Sequence, residues 1–112
     1  MQMTRLDKLL EFYKNEPNDE FLKYALATEY LRLNETDKSL VYYEDLVNNH
    51  PRYVGTYYHL GKLYEALNRL DDALKTYEAG MLIAKELRDN HALSELKTVY
   101  MQAKGMDDDD DY

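Results

Sequence analysis

The residue types that most often carry chemistry are few in this sequence and poorly placed for it. There is no cysteine, which excludes thiolate nucleophiles and thiolate metal ligands. The three histidines, His50, His59 and His91, do not have metal-ligand spacing, and no serine lies in the context of a nucleophile elbow. A glycine-rich phosphate loop is also missing. The sequence therefore predicts no catalytic residue, no metal site and no cofactor, and an enzyme is not expected.

A run of aspartates, Asp107–Asp111, is the strongest local charge feature and supplies five of the charges behind the net value of −8. Asp107, Asp109 and Asp111 alternate as calcium ligands do, but the glycine and the distal glutamate of a calcium loop are missing. Adjacent like charges repel and stay solvated, so a disordered acidic tail is predicted over residues 106–112. Docking onto a basic partner and weak binding of a divalent ion are the alternatives.

Composition favours a globular, helical chain. The 112 residues fit one domain, and 45% of them are hydrophobic while 32% are charged. Only four glycines and two prolines are present, so long elements are expected. The chain has no stripe of Lys and Arg, which argues against nucleic acid or an anionic membrane as a partner. Neither a signal peptide nor an apolar stretch of about 20 residues is found, and a cytoplasmic location is expected.

An internal repeat of 34 residues defines the elements that would position any functional side chain. Within each repeat, apolar residues recur at three-to-four spacing and predict two amphipathic helices. The residues that match under the shift are Ala27 with Gly61, Tyr30 with Tyr64, Leu33 with Leu67, Asn34 with Asn68, Asp37 with Asp71, Ser39 with Ala73, Leu40 with Leu74, Tyr43 with Tyr77, and Pro17 with Pro51.

The ends of the helices also follow from this pattern. Asn34 and Asn68 are expected to close the first helix of each repeat in the left-handed conformation, and Thr or Asp to cap the second helix. Pro17 and Pro51 are expected to separate the repeats. His50, which precedes Pro51 at a helix end, is expected to have a capping role.

Two small residues in mid-helix, Ala27 and Gly61, indicate a close helix crossing. Glycine costs about 1 kcal/mol relative to alanine in a helix, so a steric reason for it is expected. Ser39 and Ala73 are predicted to be the small residues on the opposing helices.

The pattern resembles the tetratricopeptide repeat (TPR) family. The resemblance is carried in the second repeat by Tyr57, Leu60, Gly61, Tyr64, Ala73, Tyr77 and Gly80, and in the first by Leu26, Ala27, Tyr30, Ser39, Tyr43, Leu46 and Pro51. Two positions differ from the TPR pattern. Lys23 stands where the family prefers an aromatic residue, and Lys85 stands where the family usually has proline. The resemblance implies an all-α, right-handed superhelical solenoid of about six antiparallel helices.

The register predicts a single TPR-like domain over residues 1–105, followed by the acidic tail over 106–112. Its parts are a half repeat over 4–15, repeat 1 over 18–51, repeat 2 over 52–85 and a capping helix over 91–104.

The two ends of this domain are predicted to differ. Thr4 is expected to cap the first helix, which lacks a mate. The last helix of repeat 2 is expected to run on to residues 89–90. In the capping helix, an insertion of two residues aligns Lys97 with Ala27 and Gly61. A lysine at this position would keep the outer face of the helix in contact with water. Gly105 is the expected stop signal.

The resemblance implies a concave face, lined by the first helix of each repeat, that holds another protein. The expected contact residues are Phe21, Tyr24, Thr28, Leu31, Tyr58, His59, Lys62, Glu65, Ser94, Thr98 and Met101. Tyr24 and Tyr58 are equivalent, and they either contact the partner or pack between adjacent helices. The basic clamp that some TPR domains use for acidic chaperone tails is not matched, because its places hold Tyr24, Thr28, His59, His91 and Glu95.

Two functions are therefore predicted. The first is a non-catalytic interaction module that binds a peptide or partner helix in the concave groove. The alternative is a self-assembly unit that stacks end to end, or forms a homodimer, through incompletely capped termini.

Overall fold

The computed structural model describes residues 2–108, and the surroundings of side chains up to residue 105. The described part of the chain is all-α, as predicted, and contains six helices. They are α1 (Arg5–Asn15), α2 (Glu20–Arg32), α3 (Thr36–Asn49), α4 (Gly55–Ala66), α5 (Leu70–Leu87) and α6 (Asn90–Asp108). The chain divides into two compact units, which we call unit 1 (Met1–Tyr53) and unit 2 (Val54–Tyr112).

The first two helices of unit 1 begin with side-chain caps. Thr4 caps α1, as predicted, because its hydroxyl accepts from the Asp7 N–H at 3.1 Å while the Asp7 carboxylate accepts from the Thr4 N–H at 3.2 Å. Asp19 caps α2, with its Oδ1 accepting from the Leu22 N–H at 3.1 Å. Pro17 lies in the turn between α1 and α2.

Asparagines close α2 and α4 as predicted. Asn34 and Asn68 have φ values of 63° and 61°, the left-handed conformation that asparagine tolerates. The N–H that follows then reaches back into the helix. In α2 the Glu35 N–H donates to the Tyr30 carbonyl at 2.8 Å, and the same bond recurs after α4.

The predicted capping of α3 and α5 by Thr or Asp is wrong. The N-cap residues are Glu35 and Arg69, and neither makes a side-chain cap bond. The reason is the length of the turn: α3 begins two residues after Asn34, so Thr36 already lies inside the helix. Asp71 likewise lies one residue inside α5, where a carboxylate favours the helix dipole instead of capping.

In unit 1, α2 packs on α1 and on α3. The predicted close crossing is present, since the Ser39 hydroxyl donates to the Ala27 carbonyl at 2.7 Å and both residues are fully buried. Tyr43 and Leu46 of α3 complete this core.

In unit 2, α4 packs on α5, and α6 packs on both. A Cβ on Gly61 would lie 2.1 Å from Cε1 of Tyr77, and a Cβ on Gly80 would lie 2.5 Å from Cβ of Tyr57. The close approach predicted at Gly61 is therefore present, but the nearest atoms belong to the Tyr77 ring and not to Ala73.

The prediction that the last helix of repeat 2 runs on to residues 89–90 is wrong. Arg88 is left-handed at φ 56° and ends α5 after Leu87. The carboxylate of Asp89 then accepts from the Ala92 N–H at 3.0 Å and caps α6. Arginine carries no turn signal, and for this reason the sequence did not indicate the break.

The end of α6 also differs from the prediction. The helix continues through Gly105 to Asp108, and Gly105 does not have a positive φ. A helical glycine costs only about 1 kcal/mol, so it does not by itself stop a helix. Of the tail predicted to be disordered, residues 106–108 belong to α6, and 109–112 lie outside the described residues. Lys97 is exposed, while Leu96, Val99 and Ala103 of the same helix are buried.

Candidate functional site

A pocket in unit 2, between α4 and α6, is lined by several of the predicted contact residues. Its volume is about 300 Å³. Tyr58 and Thr98, both predicted as contact residues, line it, and so does Ser94. The remaining lining residues are His91, Glu95 and Val99. We call this cavity the α4–α6 pocket.

Tyr58 forms the α4 side of this pocket. The side chain is half-buried, and its ring lies edge-on to His59 with the centroids 5.4 Å apart. Contact with a partner and packing between helices both remain predictions for this tyrosine. The sequence does not distinguish partner contact from packing, because an aromatic ring at this position suits either role.

The α6 side of the pocket comes from residues one helical turn apart. His91, Ser94, Glu95 and Thr98 share one face of α6 because residues three and four apart are neighbours on a helix. The Thr98 hydroxyl donates to the Ser94 carbonyl at 3.0 Å, and Nε2 of His91 lies 3.5 Å from a carboxylate oxygen of Glu95. Neither His91 nor Glu95 was predicted to contact a partner, although both were placed where a basic clamp would lie.

The charged and titratable groups beside the pocket are arranged around two carboxylates. Burial lowers the pKa of His59, although the Glu95 carboxylate opposes that shift, so His59 is neutral at pH 7. Lys62 lies 3.9 Å from Glu65, and the Tyr77 hydroxyl donates to the same carboxylate. Burial first, and then this bond to Glu65, raise the pKa of Tyr77.

Met101, also predicted as a contact residue, is exposed but does not line the pocket.

In unit 1, the four predicted contact residues lie on α2. Phe21, Thr28 and Leu31 are exposed. Tyr24 is half-buried, and its ring centroid lies 6.2 Å from that of Tyr43 and 5.5 Å from that of Tyr53. Tyr24 therefore packs against neighbouring rings, and burial raises its pKa. The equivalence of Tyr24 and Tyr58 extends to one neighbour, since Tyr24 lies near Tyr43 and Tyr58 near Tyr77.

A buried polar network in unit 1 was not predicted. Lys23 is only 4% exposed, and its ammonium lies 2.9 Å from the Asp45 carboxylate and 3.2 Å from Nε2 of His50. The other ring nitrogen of His50 lies 3.5 Å from Glu20. His50 does end α3, as predicted for a capping residue, but its side chain joins this network.

A second cavity, of about 410 Å³, lies in unit 1, and three of its six lining residues are tyrosines. Tyr42 stacks on Tyr30 at 5.7 Å and meets Tyr13 edge-on at 5.6 Å. The ammonium of Lys38 lies 5.6 Å from the Tyr30 ring centroid, within the range of a cation–π contact. The three tyrosine rings contact one another, so we interpret this cluster as packing between α1 and the neighbouring helices.

Neither a metal site nor a membrane-spanning helix is found in the described part of the chain. No three His, Asp or Glu side chains among residues 2–105 are grouped so that they could hold a metal ion. No helix in the same range is long and apolar enough to cross a membrane.

Comparisons with known proteins place this architecture among repeat proteins. The family model of the tetratricopeptide repeat matches residues 54–87, which are α4 and α5 with their connection. The solution structure of a tetratricopeptide repeat domain protein from Salinibacter ruber is 48% identical, with a TM-score of 0.77. That match covers 80% of this chain and 90% of the other.

Two more distant proteins extend the comparison. A TPR repeat-containing protein of Methanocaldococcus jannaschii is 36% identical over 81 residues, which are 72% of this chain but only 24% of that protein. This chain thus spans about a quarter of its length. The TPR2B domain of yeast Sti1, in a complex with pHsp70, has a TM-score of 0.82 over 90% of this chain and 81% of its own. At 18% identity it shows the fold alone.

Proposed function

Because the chain belongs to the tetratricopeptide repeat family, we propose that it is a non-catalytic module that binds a peptide or partner helix on the first helices of its repeats. TPR domains are generally protein-interaction modules. The observation that carries the proposal for this chain is the α4–α6 pocket, which combines a half-buried tyrosine with polar groups from one face of α6.

The lining of the pocket suits recognition better than catalysis. A tyrosine ring offers a large, rigid contact area that loses little entropy on binding. The α6 residues add a carboxylate, two hydroxyls and an imidazole around a cavity at the small end of the range for ligand pockets. Such a cavity admits one side chain of a peptide. We expect micromolar affinity, about −8 kcal/mol.

The relative bound to pHsp70 shares the fold but does not define the partner here. The positions that would form a basic clamp for an acidic tail hold Tyr24, Thr28, His59, His91 and Glu95. His59 is neutral at pH 7, and Glu95 is itself acidic. We therefore propose a partner other than an acidic chaperone tail.

Capture of partners by the immobilised chain tests this function. The double variant Tyr58→Ala with Lys62→Glu changes one wall of the pocket and the exposed lysine one turn further along α4. It should lose the proteins that the wild-type chain retains from a lysate, as measured by quantitative mass spectrometry.

A matched variant controls for charge and apolar area. Leu82→Ala with Lys75→Glu makes the same types of change at exposed positions of α5 and should retain the same proteins. Circular dichroism checks that both variants fold. Equal capture by the wild type and by the α4 double variant would show that this face is not the binding surface.

Self-assembly is the second candidate function, and the exposure of Phe12 favours it. In the 34-residue repeat Phe12 takes the place of Leu46, which is fully buried on α3, yet Phe12 is 60% exposed on α1. Repeat units stack through apolar residues that are exposed on an end helix, and Phe12 is such a residue.

Light scattering after size-exclusion chromatography distinguishes the two candidates. Association through α1 would make the apparent mass rise with concentration, and Phe12→Ser would remove that rise. Val41→Ser, at a residue that is 63% exposed on α3, is the control. A constant monomeric mass for the wild type would exclude self-assembly.

A further inference from the structure

The α4–α6 pocket has one carboxylate on its wall, and that carboxylate has room for a second partner. Glu95 is about half-exposed, and the contact that it makes among the described residues is with His91. That contact is long, at 3.5 Å, and involves one of the two carboxylate oxygens. A carboxylate can accept several hydrogen bonds, so Glu95 retains acceptor capacity toward the cavity.

Apart from the His91 imidazole, which lies 3.5 Å from Glu95, the described residues that line the pocket supply no cationic side chain. Among the described residues that line the cavity there is no Lys or Arg. His59, which lies against the Tyr58 ring, is neutral at pH 7 because burial lowers its pKa. Lys62 on the same helix lies beside Glu65, not Glu95.

The aromatic wall complements the carboxylate. The face of a tyrosine ring attracts a cation, and a planar guanidinium can stack on that face while it donates to a carboxylate. Tyr58 and Glu95 line the same cavity from two different helices, α4 and α6. The Ser94 and Thr98 side chains add polar groups to the lining of the same cavity.

From this arrangement we propose that the α4–α6 pocket binds an arginine side chain of the partner peptide, with the guanidinium against Tyr58 and paired with Glu95. This rests on the proposed function, since it names the partner residue that the pocket selects. A volume of about 300 Å³ matches one long side chain. Arginine fits better than lysine because its fork of donors can engage a carboxylate and its plane can stack on a ring.

Titration with blocked amino acids, followed by ¹H–¹⁵N NMR of the whole chain, tests the proposal. Nα-acetyl-L-arginine amide should shift the amide signals of Tyr58, Ser94, Glu95 and Thr98 in a saturable manner. The neutral isostere Nα-acetyl-L-citrulline amide and the point-charge analogue Nα-acetyl-L-lysine amide should bind at least about tenfold more weakly, the size of one charged hydrogen bond that stays partly solvated.

Two variants with the same change in net charge complete the design. Glu95→Gln should weaken arginine binding by at least about tenfold, because it removes the charge from the pocket. Glu11→Gln removes a carboxylate from α1 and should bind as the wild type does. The proposal is overturned if Glu95→Gln binds arginine amide normally, if citrulline or lysine amide binds equally well, or if no saturable shift occurs up to about 50 mM.

This inference and the proposed function fail in different ways. If Glu95→Gln retains every partner that the wild type captures while the Tyr58→Ala, Lys62→Glu variant loses them, the face binds proteins but the pocket does not select arginine. If arginine amide binds the wild type but the α4 double variant still captures its partners, the pocket assignment stands and the proposed use of this face fails.

Discussion

Gly61 lies where the packing of the repeat leaves no room for a side chain. The tyrosine ring whose Cε1 would lie 2.1 Å from an added Cβ is that of Tyr77, which is fully buried. Real Cβ atoms do not approach other atoms so closely, so a side chain at Gly61 would have to displace a ring that has no free space. Glycine is required here for close packing and not for its backbone freedom, since Gly61 does not have a positive φ.

Gly61→Ala is therefore expected to destabilise the fold by about 1–3 kcal/mol through overpacking, despite the better helix propensity of alanine. The matched control is Gly55→Ala, in the same helix. A Cβ on Gly55 would meet no atom within 4 Å, so this change should be neutral or stabilising by up to about 1 kcal/mol. Urea denaturation of both variants measures the difference. Equal stability of the two would contradict the close contact at Gly61.

His59 gives the second prediction at this scale, a dependence of stability on pH. Burial holds the pKa of His59 below its usual value of 6.5 in the folded chain. Between these two pKa values the unfolded chain binds a proton that the folded chain does not, so the free energy of unfolding falls as pH drops below about 6.5. The loss levels off below the folded pKa.

His59→Gln should flatten this slope, and urea titrations between about pH 7.5 and pH 5 would show it. His91→Gln is the control, because His91 is exposed on α6. An NMR titration midpoint for His59 at or above 6.5 would contradict the assignment.

At the scale of elements, the junction of α2 and α3 is unusual for its buried lysine. Lys23 stands in the repeat where Tyr57 stands in unit 2. It is satisfied by Asp45 at 2.9 Å, and the Asp45 carboxylate also accepts from Asn49. Burial alone would raise the pKa of Asp45, but the bonds from Lys23 and Asn49 outweigh burial and hold that pKa below its usual value.

Breaking this pair from its two sides should give different results. Asp45→Asn leaves a buried ammonium without its counter-charge and should cost about 3 kcal/mol, the lower end for buried pairs because Asp45 is partly exposed. Lys23→Met removes the buried charge and should be neutral or stabilising, since Asp45 can turn to water. Thermal melts of both variants at pH 7 measure this. Equal losses of stability in the two variants would show that the Lys23–Asp45 bond, and not burial of the lysine charge, determines the effect.

The helices of this chain could be predicted because each has a local cause. The apolar spacing, the 34-residue shift and the asparagines all act within a few residues of one another, and Asn34 and Asn68 have the predicted left-handed backbone. The break at Arg88 was not predictable in the same way, since arginine is not a usual residue at φ 56°. The two wrong caps came from misplacing the start of α3 and α5 by one or two residues, which is the least certain part of any helix prediction.

The site was less predictable than the fold because it depends on contacts between helices. Tyr58 and Thr98 line one pocket, yet nothing local in the sequence showed that Tyr24 would pack against Tyr53. The partners of Lys23 lie 22 and 27 residues further along the chain, and no pattern in the sequence connects them.

At the scale of the molecule, the repeat register shows which residues of α1 and α6 stand at the positions where paired helices cross closely. Counted by 34 residues, α1 is a second helix of a repeat, and Arg5 takes the place of Ser39 and Ala73. With the insertion of two residues, α6 is a first helix, and Lys97 takes the place of Ala27 and Gly61. Two long cations thus occupy the positions that are small inside both repeats. Arg5 lies 3.4 Å from Glu29, and Lys97 is exposed.

A second copy that placed its α1 against α6 would complete a repeat and bring Arg5 and Lys97 together. Inside unit 1 the equivalent residues approach so closely that the Ser39 hydroxyl reaches the Ala27 carbonyl at 2.7 Å. Two cations at that crossing would repel each other and would not fit. They are therefore expected to oppose head-to-tail assembly, whatever weak association Phe12 permits.

Arg5→Ser with Lys97→Ala should remove this block and give an apparent mass that rises with concentration in light scattering. Glu29 is buried, but it keeps its bonds from Arg32 when Arg5 is replaced, so the double variant is expected to fold. Lys8→Ser with Lys75→Ala removes the same number of charges at exposed positions of α1 and α5, and its mass should match the wild type. If the first double variant also stays at the wild-type mass, the register assigned to Arg5 and Lys97 does not govern contacts between copies. A rise confined to that variant would mean that these two side chains, and not the net charge of −8, keep the ends of the repeat apart.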